Sequence, residues 1–386
     1  MKNKKLIDEI NYVNNKRFEE LCKIKRANRK NYIYGASRAA MVRCKWLGEY
    51  GVDVQAFVVD EEYYEDGKEL LGLPVLSIAS LDAEEKISLI IGFESAVRAR
   101  EVLSSVVKNT EVFWIEDPFN FHDFSYDFFL KHVEEYQASY DLLEDDLSCN
   151  IFIEALKARV RGSSDELVKY KSQSEFTYDF ELLDIKANDV LVDCGAYNGD
   201  TIDEWKEYQK SQGNDDKFGY VYAFEPDTAN ADKILEKYGE EQVTVIRKGL
   251  GKTVGNVKFY ANNSLYSNVV DSNMWGENTR RDLYGDQDVY TEIEISTLDI
   301  ELKNKDVSVI KMDIEGSELD ALIGARELID RCFPKLAICI YHKGEDFFTL
   351  IQEIHKHDTE NRRYRYYLRH HSDDMSETVL YALPDA

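Results

Sequence analysis

The run Val190-Leu-Val-Asp-Cys-Gly-Ala-Tyr-Asn-Gly-Asp-Thr201 has the pattern of an apolar strand that passes an acid and two glycines and then enters a helix. Gly195 and Gly199 let the backbone turn sharply and approach a ligand, because neither carries a Cβ. Asp193 speaks to the identity of that ligand. A carboxylate at this loop repels a pyrophosphate but suits an ammonium and a sulfonium, the charges of S-adenosylmethionine. Tyr197 stands where a dinucleotide fingerprint needs its middle glycine, so NAD fits poorly. A second run, Tyr220-Val-Tyr-Ala-Phe-Glu-Pro-Asp227, ends in Glu225, where an acid can accept from both ribose hydroxyls. The donor-binding set is therefore Asp193, Gly195, Ala196, Tyr197, Asn198, Gly199, Asp200, Thr201, Glu225 and Pro226.

Chemistry in an open parallel sheet happens beyond the carboxyl ends of the strands, which directs attention to Asp313-Ile-Glu-Gly-Ser-Glu318 and to His342. Transfer from such a donor needs in-line alignment, worth roughly 7–11 kcal/mol, and a general base adds about 10²–10⁴ in rate. The candidate catalytic residues are Asp313, Glu315 and His342; Lys311, inside the preceding strand, ranks behind them. Clustered carboxylates beside a histidine can also hold a divalent cation that acidifies a hydroxyl, a reading placed below metal-free chemistry. Ser317 with Asp320 matches a capping box, and Glu318 suits the positive end of a helix. For His342, a core histidine satisfied by backbone stands level with a catalytic one. Cys194 has no base nearby and reads as packing, and His370 and His371 read as structural. For Arg362, Arg363, Arg365 and Arg369 a solvated basic face outranks an anion site.

These residues need a scaffold, and the chain alternates in the way that supplies one. Strands at 190–195, 220–225, 243–248, 307–313 and 336–341, with helices at 228–238, 318–330 and 345–357 and a closing hairpin, give an α/β fold. It is the class I methyltransferase order, a Rossmann-like seven-stranded sheet. An insertion at 251–300 carries two alternating strands around the polar loop 262–288, whose Ser264, Ser267, Asn268 and Asn273 suit an acceptor. Upstream, residues 31–116 read as a second, smaller Rossmann-like module, 117–175 as aromatic bridging helices, and 1–30 as one amphipathic helix. The module keeps Gly35 of a nucleotide fingerprint and ends its second strand in Asp60, but Ser37 and Ala40 replace the other glycines. A packing or homo-oligomerisation role outranks nucleotide binding there.

Four motifs resemble those of the FkbM-type methyltransferases: Asp193-Cys-Gly-Ala-x-x-Gly-Asp-Thr201, Phe224-Glu-Pro226, Lys311-x-Asp-x-Glu-Gly-x-Glu318, and Leu368-Arg-His-x-Ser372 followed by Glu377-Thr-Val-Leu-Tyr381. The resemblance runs from about Glu175 to the C-terminus, with a domain expected at 176–386. It implies methyl transfer from S-adenosylmethionine to oxygen, commonly of a sugar, glycan or nucleotide-sugar hydroxyl. Rival readings are an NAD(P)-dependent sugar oxidoreductase using Gly35 and Asp60, and a scaffold with two inactive sheets.

Composition bounds the partners. The 386 residues and 44% hydrophobic content provide for two cores. Six scattered cysteines without C-x-x-C spacing, and no signal-peptide pattern or long apolar span, lead to the expectation of a reduced, cytoplasmic protein without a membrane span. A net charge of −26 opposes nucleic-acid binding, which depends on Lys and Arg neutralising phosphates.

Overall fold

The computed structural model describes residues 4–11, 15–82, 84–93, 109–116, 124–214, 219–260, 268–269 and 290–385. In the N-terminal unit, strands β1 (Lys30–Tyr34), β2 (Val54–Val59), β3 (Glu69–Leu70), β4 (Leu73–Ser77), β5 (Ile87–Ile91) and β6 (Thr110–Phe113) form one sheet in the order β3-β4-β2-β1-β5-β6. Only the β3–β4 pair is antiparallel. β5 is buried at all its positions, as a strand covered on both faces must be. Trp46 and Leu47 of the helix Arg38–Glu49 pack on this sheet, joined by Leu21 and Ile24 of the helix Lys16–Ala27. The single helix expected over 1–30 is two pieces. Leu6–Glu9 instead sends Leu6, and Ile10 just beyond it, into the core of the C-terminal unit, and Asn15 restarts the helix by accepting from the Arg17 N–H.

The C-terminal unit contains β7 (Leu191–Cys194), β8 (Val221–Phe224), β9 (Val243–Ile246), β10 (Gly249–Leu250), β11 (Gly255–Tyr260), β12 (Asn268–Val269), β13 (Tyr290–Ser296), β14 (Val309–Met312), β15 (Lys335–Cys339), β16 (Tyr364–His370) and β17 (Thr378–Pro384). Seven of them form the main sheet in the order β9-β8-β7-β14-β15-β17-β16, with β17 antiparallel to both neighbours. This is the seven-stranded order expected. Side chains alternate across it. Val192, Cys194, Ile310, Met312, Leu336 and Ile338 enter one core, and Leu191, Val309, Ala337 and Cys339 enter the other.

The bridging helices form the layer over the first of these cores. Phe129, Tyr136, Tyr140, Phe152 and Leu156 pack with Ile310, Leu350 and Leu368, so the aromatic stripe is core as its spacing implied. Ser148 accepts the Leu368 N–H at 2.8 Å, and Arg369 reaches Asp145 at 2.8 Å, which locks the helix Asp146–Arg161 to β16. The expected helix over 318–330 breaks into Glu318–Ile323 and Arg326–Cys332 around Gly324. A Cβ on Gly324 would stand 2.2 Å from the Gly251 carbonyl oxygen, so the backbones meet there too closely for a continuous side-chain-bearing helix. β10, β13, β11 and β12 make a separate small sheet in which the two alternating insertion strands, β11 and β13, pair antiparallel. Ser264, Ser267 and Asn273 lie outside the described residues, and for Asn268 the description covers only the backbone of β12.

Candidate active site

A cavity of about 380 Å³ opens at the carboxyl ends of β7, β8 and β14. Its walls include Gly195, Tyr197, Asp200, Thr201, Glu225 and Pro226 on the donor side and Asp313, Glu315 and Glu377 opposite. The turn after β7 exists in this form because of one glycine. Gly195 has φ +80°, and a Cβ there would stand 1.9 Å from the Asp313 carbonyl oxygen. Tyr197, Glu315 and Glu377 are non-glycine residues at φ +45°, +55° and +51°, so three strained positions ring the same cavity.

Glu225 is held by backbone on both oxygens. Oε2 accepts from the Tyr197 N–H and Oε1 from the Asp227 N–H, each at 2.8 Å. Each oxygen keeps a lone pair for a ligand hydroxyl. Burial pushes its pKa up to about 7 against those two hydrogen bonds. Beside it, Phe224, Leu250 and Ile293 supply apolar wall, and Asp200 and Glu204 supply carboxylates at the Thr177 end.

Asp193 sits elsewhere than the sequence implied. It is fully buried and does not line the cavity. The register places it directly opposite Lys311, whose Nζ lies 3.0 Å from Asp193 Oδ1 and donates to the Gly195 carbonyl at 2.8 Å. Burial raises Asp193 to about 6 even with the lysine beside it. Lys311 is held above its ordinary value by Asp193 and Asp313, although burial works against its charge. Lys311, ranked low as an in-strand residue, thus reaches the cavity wall while Asp193 acts beneath it. Ala196 is core, and Gly199 is packed under Tyr238, whose hydroxyl donates to the Gly199 carbonyl at 2.9 Å; with Asn198, these shape the turn and do not line the cavity.

Behind the far wall the carboxylates converge on one ring, that of His342, which does not itself line the cavity. His342 Nδ1 lies 3.0 Å from Glu318 Oε1, and Nε2 lies 3.4 Å from Asp313 Oδ1 and 3.8 Å from Glu315 Oε2. Burial disfavours the charged ring, yet the three carboxylates outweigh it and hold the pKa well above 6.5. The carboxylates around the ring thus favour its charged form, which tells against His342 as a free base. The capping box is corrected too. Ser317 makes no capping hydrogen bond, Asp320 pairs with Lys252, and Glu318 accepts from the N–H groups of Ile314 and Gly316.

Among the residues missed or misread from sequence are the cavity-lining Glu377 and His371 and the fully buried Glu318, which does not line the cavity. Glu377, in the stretch just before β17, receives the Tyr341 hydroxyl at 3.2 Å, and burial, with Asp313 next, lifts it to about 7. Its motif was visible, but nothing in the spacing placed the hairpin loop over the crevice. His371 lines the cavity with its Nε2 3.1 Å from the Tyr381 hydroxyl, and burial lowers it to about 4, so the ring there is neutral. Glu318 had been assigned to the helix dipole. The packing reading holds for Cys194, whose thiol is fully buried and pushed up by burial. Arg362, Arg363 and Arg369 are spoken for by Asp330, Asp385 and Asp145. Among the described residues no helix is long and apolar enough to cross a membrane.

Residues 193–372 match the family model of the methyltransferase FkbM domain. A comparison with curated proteins finds no match. Among solved structures, the chain is similar to a methyltransferase FkbM from Methylobacillus flagellatus KT at 21% identity and a TM-score of 0.68, over 98% of this chain and 96% of that one. At that identity the likeness establishes a shared fold, and it extends through the N-terminal unit.

Proposed function

Because its C-terminal half belongs to the methyltransferase FkbM family, we propose that this methyltransferase takes its methyl group from S-adenosylmethionine and delivers it to a hydroxyl of a sugar, glycan or nucleotide-linked sugar. The observation that carries the donor assignment is Glu225. Its carboxylate, fixed by two backbone donors, faces the same cavity as the Gly195–Tyr197 turn, and no phosphate-binding glycine accompanies it. Glu225 would accept from the ribose hydroxyls, Phe224, Leu250 and Ile293 would flank the base, and Asp200 and Glu204 would receive the ammonium. Asp193 contributes as a positioning residue, through Lys311 and the Gly195 carbonyl. The bound donor supplies an electrophilic methyl carbon on a sulfonium.

Asp313 and Glu315 would orient the acceptor hydroxyl from the opposite wall, and Glu377 would take its proton as the methyl group is delivered to that oxygen. A carboxylate near pKa 7, held by a tyrosine hydroxyl, suits that task at neutral pH. A wall of polar and acidic groups suits a polyhydroxylated acceptor better than an apolar one.

Calorimetric titration with S-adenosylhomocysteine tests the donor half. The wild type should bind one equivalent, and Glu225→Ala should weaken binding by about 1.5–3 kcal/mol, the worth of hydrogen bonds to a charged group. Equal affinity in the two proteins removes the reading. Transfer of a tritiated methyl group to a panel of nucleotide sugars tests the acceptor half, and label appearing only in non-sugar acceptors rejects it.

A further inference from the structure

The cavity carries more negative charge than its own walls neutralise. Six carboxylates line it: Asp200, Glu204, Glu225, Asp313, Glu315 and Glu377. The lysines among the described lining residues, Lys248 and Lys311, are both engaged. Lys248 lies 2.7 Å from Glu294 and 3.0 Å from Glu301, and Lys311 is held by Asp193 and the Gly195 carbonyl. His371 is neutral there. From behind the wall, His342 offers one positive charge, but Asp313, Glu315 and Glu318 share it. Glu377 receives the Tyr341 hydroxyl, which brings no charge. Burial registers the imbalance by lifting Glu315 to about 8 and Glu377 to about 7. These carboxylates stand close to the donor side, because the Gly195 turn is pressed against the Asp313 carbonyl.

The two groups of carboxylates meet different parts of a nucleoside ligand. On the donor reading above, on which this inference rests, Asp200 and Glu204 receive the ammonium and Glu225 the ribose. S-adenosylmethionine and S-adenosylhomocysteine have both features in common, so those contacts cancel when the two are compared. What separates them is charge at one atom, a sulfonium in the donor and a neutral thioether in the product. We infer that Asp313, Glu315 and Glu377 make the site select the cationic donor over its neutral product, so that the wall holds the nucleoside before transfer and loosens its hold afterwards. An opposite charge within about 4–6 Å favours a charged form by about one to three pH units, or about 10–1000-fold. Glu315 and Glu377 sit at positive φ, and His342 brackets Asp313 from behind, so the three carboxylates keep their places whichever nucleoside is bound.

Calorimetric titration of the full chain at neutral pH, without acceptor, tests this with three ligands: S-adenosylmethionine, S-adenosylhomocysteine, and sinefungin, in which a carbon bearing an ammonium replaces the sulfur. S-adenosylmethionine and sinefungin should each bind at least about tenfold more tightly than S-adenosylhomocysteine. Glu315→Gln/Glu377→Gln should lower both preferences by about tenfold, and S-adenosylhomocysteine binding by that variant shows that it has folded. Glu315→Gln alone, at a partly exposed side chain, gives the same comparison if the double variant does not fold. A wild-type preference below about tenfold, a preference for S-adenosylmethionine that sinefungin does not share, or one that these substitutions leave unchanged overturns the inference. S-adenosylhomocysteine binding as tightly as the donor overturns it alone and leaves the donor assignment standing. Binding of neither nucleoside overturns both.

Discussion

Replacing Lys311 by methionine removes the cation that faces Asp193 across β7 and β14 while keeping most of the buried stem volume. A buried ion pair contributes little net stability against apolar residues, but deleting one partner leaves the other charge uncompensated, at about 3–5 kcal/mol. The protonation of Asp193 limits the damage. An unfolded aspartate has a pKa of about 3.9, so keeping the buried group neutral at pH 7 costs about three pH units at 1.4 kcal/mol each, or about 4 kcal/mol. The sign follows from a folded pKa raised above the unfolded one: the penalty is absent below about pH 3.9 and grows as pH rises. Wild-type Asp193, with a folded pKa of about 6, already carries about two of those units, so Lys311→Met should lose about one more, about 1.4 kcal/mol, at pH 7 and close to nothing at pH 5. Asp193→Asn/Lys311→Met, with no charge left to bury, should recover most of the loss. Urea unfolding followed by far-UV circular dichroism at the two pH values reads all three quantities. A single variant as stable as the wild type at pH 7, or a double variant no better than the single, would refute the assignment of Asp193 as a buried structural charge.

Gly195→Ala should cost about 3–5 kcal/mol, from a left-handed φ and a Cβ placed against the Asp313 carbonyl, and thermal unfolding should show it as a lowered melting temperature. S-adenosylhomocysteine affinity should fall toward tenfold per unit as pH drops below about 7, because the ribose hydroxyls need the ionised Glu225; calorimetry from pH 5.5 to 8 should find this slope in the wild type and a flatter one in Glu225→Gln. Arg369→Ala should destabilise by about 2–3 kcal/mol, since its guanidinium joins β16 to Asp145 and Ser148 of the bridging helix, and a loss below 0.5 kcal/mol in urea unfolding would show that the helix docks without it.

Local patterns in the sequence were enough to locate the strands and the glycine turn. Alternation and acid-terminated apolar runs are properties of a few adjacent residues, so β7, β8, β14, β15 and the closing hairpin fell where the spacing put them. The roles of Asp193 and Lys311 depended instead on register. They are 118 positions apart and meet only because Lys311 pairs with Asp193 across two parallel strands, a fact absent from either motif alone. Glu377 and His371 line the cavity because the antiparallel β17 brings the loop before it over the crevice. The capping box failed for a related reason. Glu318 is drawn inward by His342 and two backbone donors, and that tertiary demand outweighs the local capping preference of Ser317.

Two parallel sheets in one chain offer two crevices, and the chemistry of their side chains separates them. At the first, the Tyr34 hydroxyl donates to Asp60 at 2.6 Å, so the acid that would meet a ribose is already engaged. Ser37 caps the following helix through the Ala40 N–H and donates its own proton to the Gly92 carbonyl, closing the turn on itself. Gly92 is pressed so near Ala40 that a Cβ would stand 2.7 Å from that methyl, leaving little room for a pyrophosphate between turn and strand. At the second crevice the equivalent acid, Glu225, is held only by backbone and keeps lone pairs for a ligand. Fluorescence titration with NADH should accordingly be flat for the wild type while S-adenosylhomocysteine binds. A saturable NADH signal that is abolished by Asp60→Ala and untouched by Glu225→Ala would return nucleotide binding to the first sheet and make the engaged Asp60 a latch that the ligand opens.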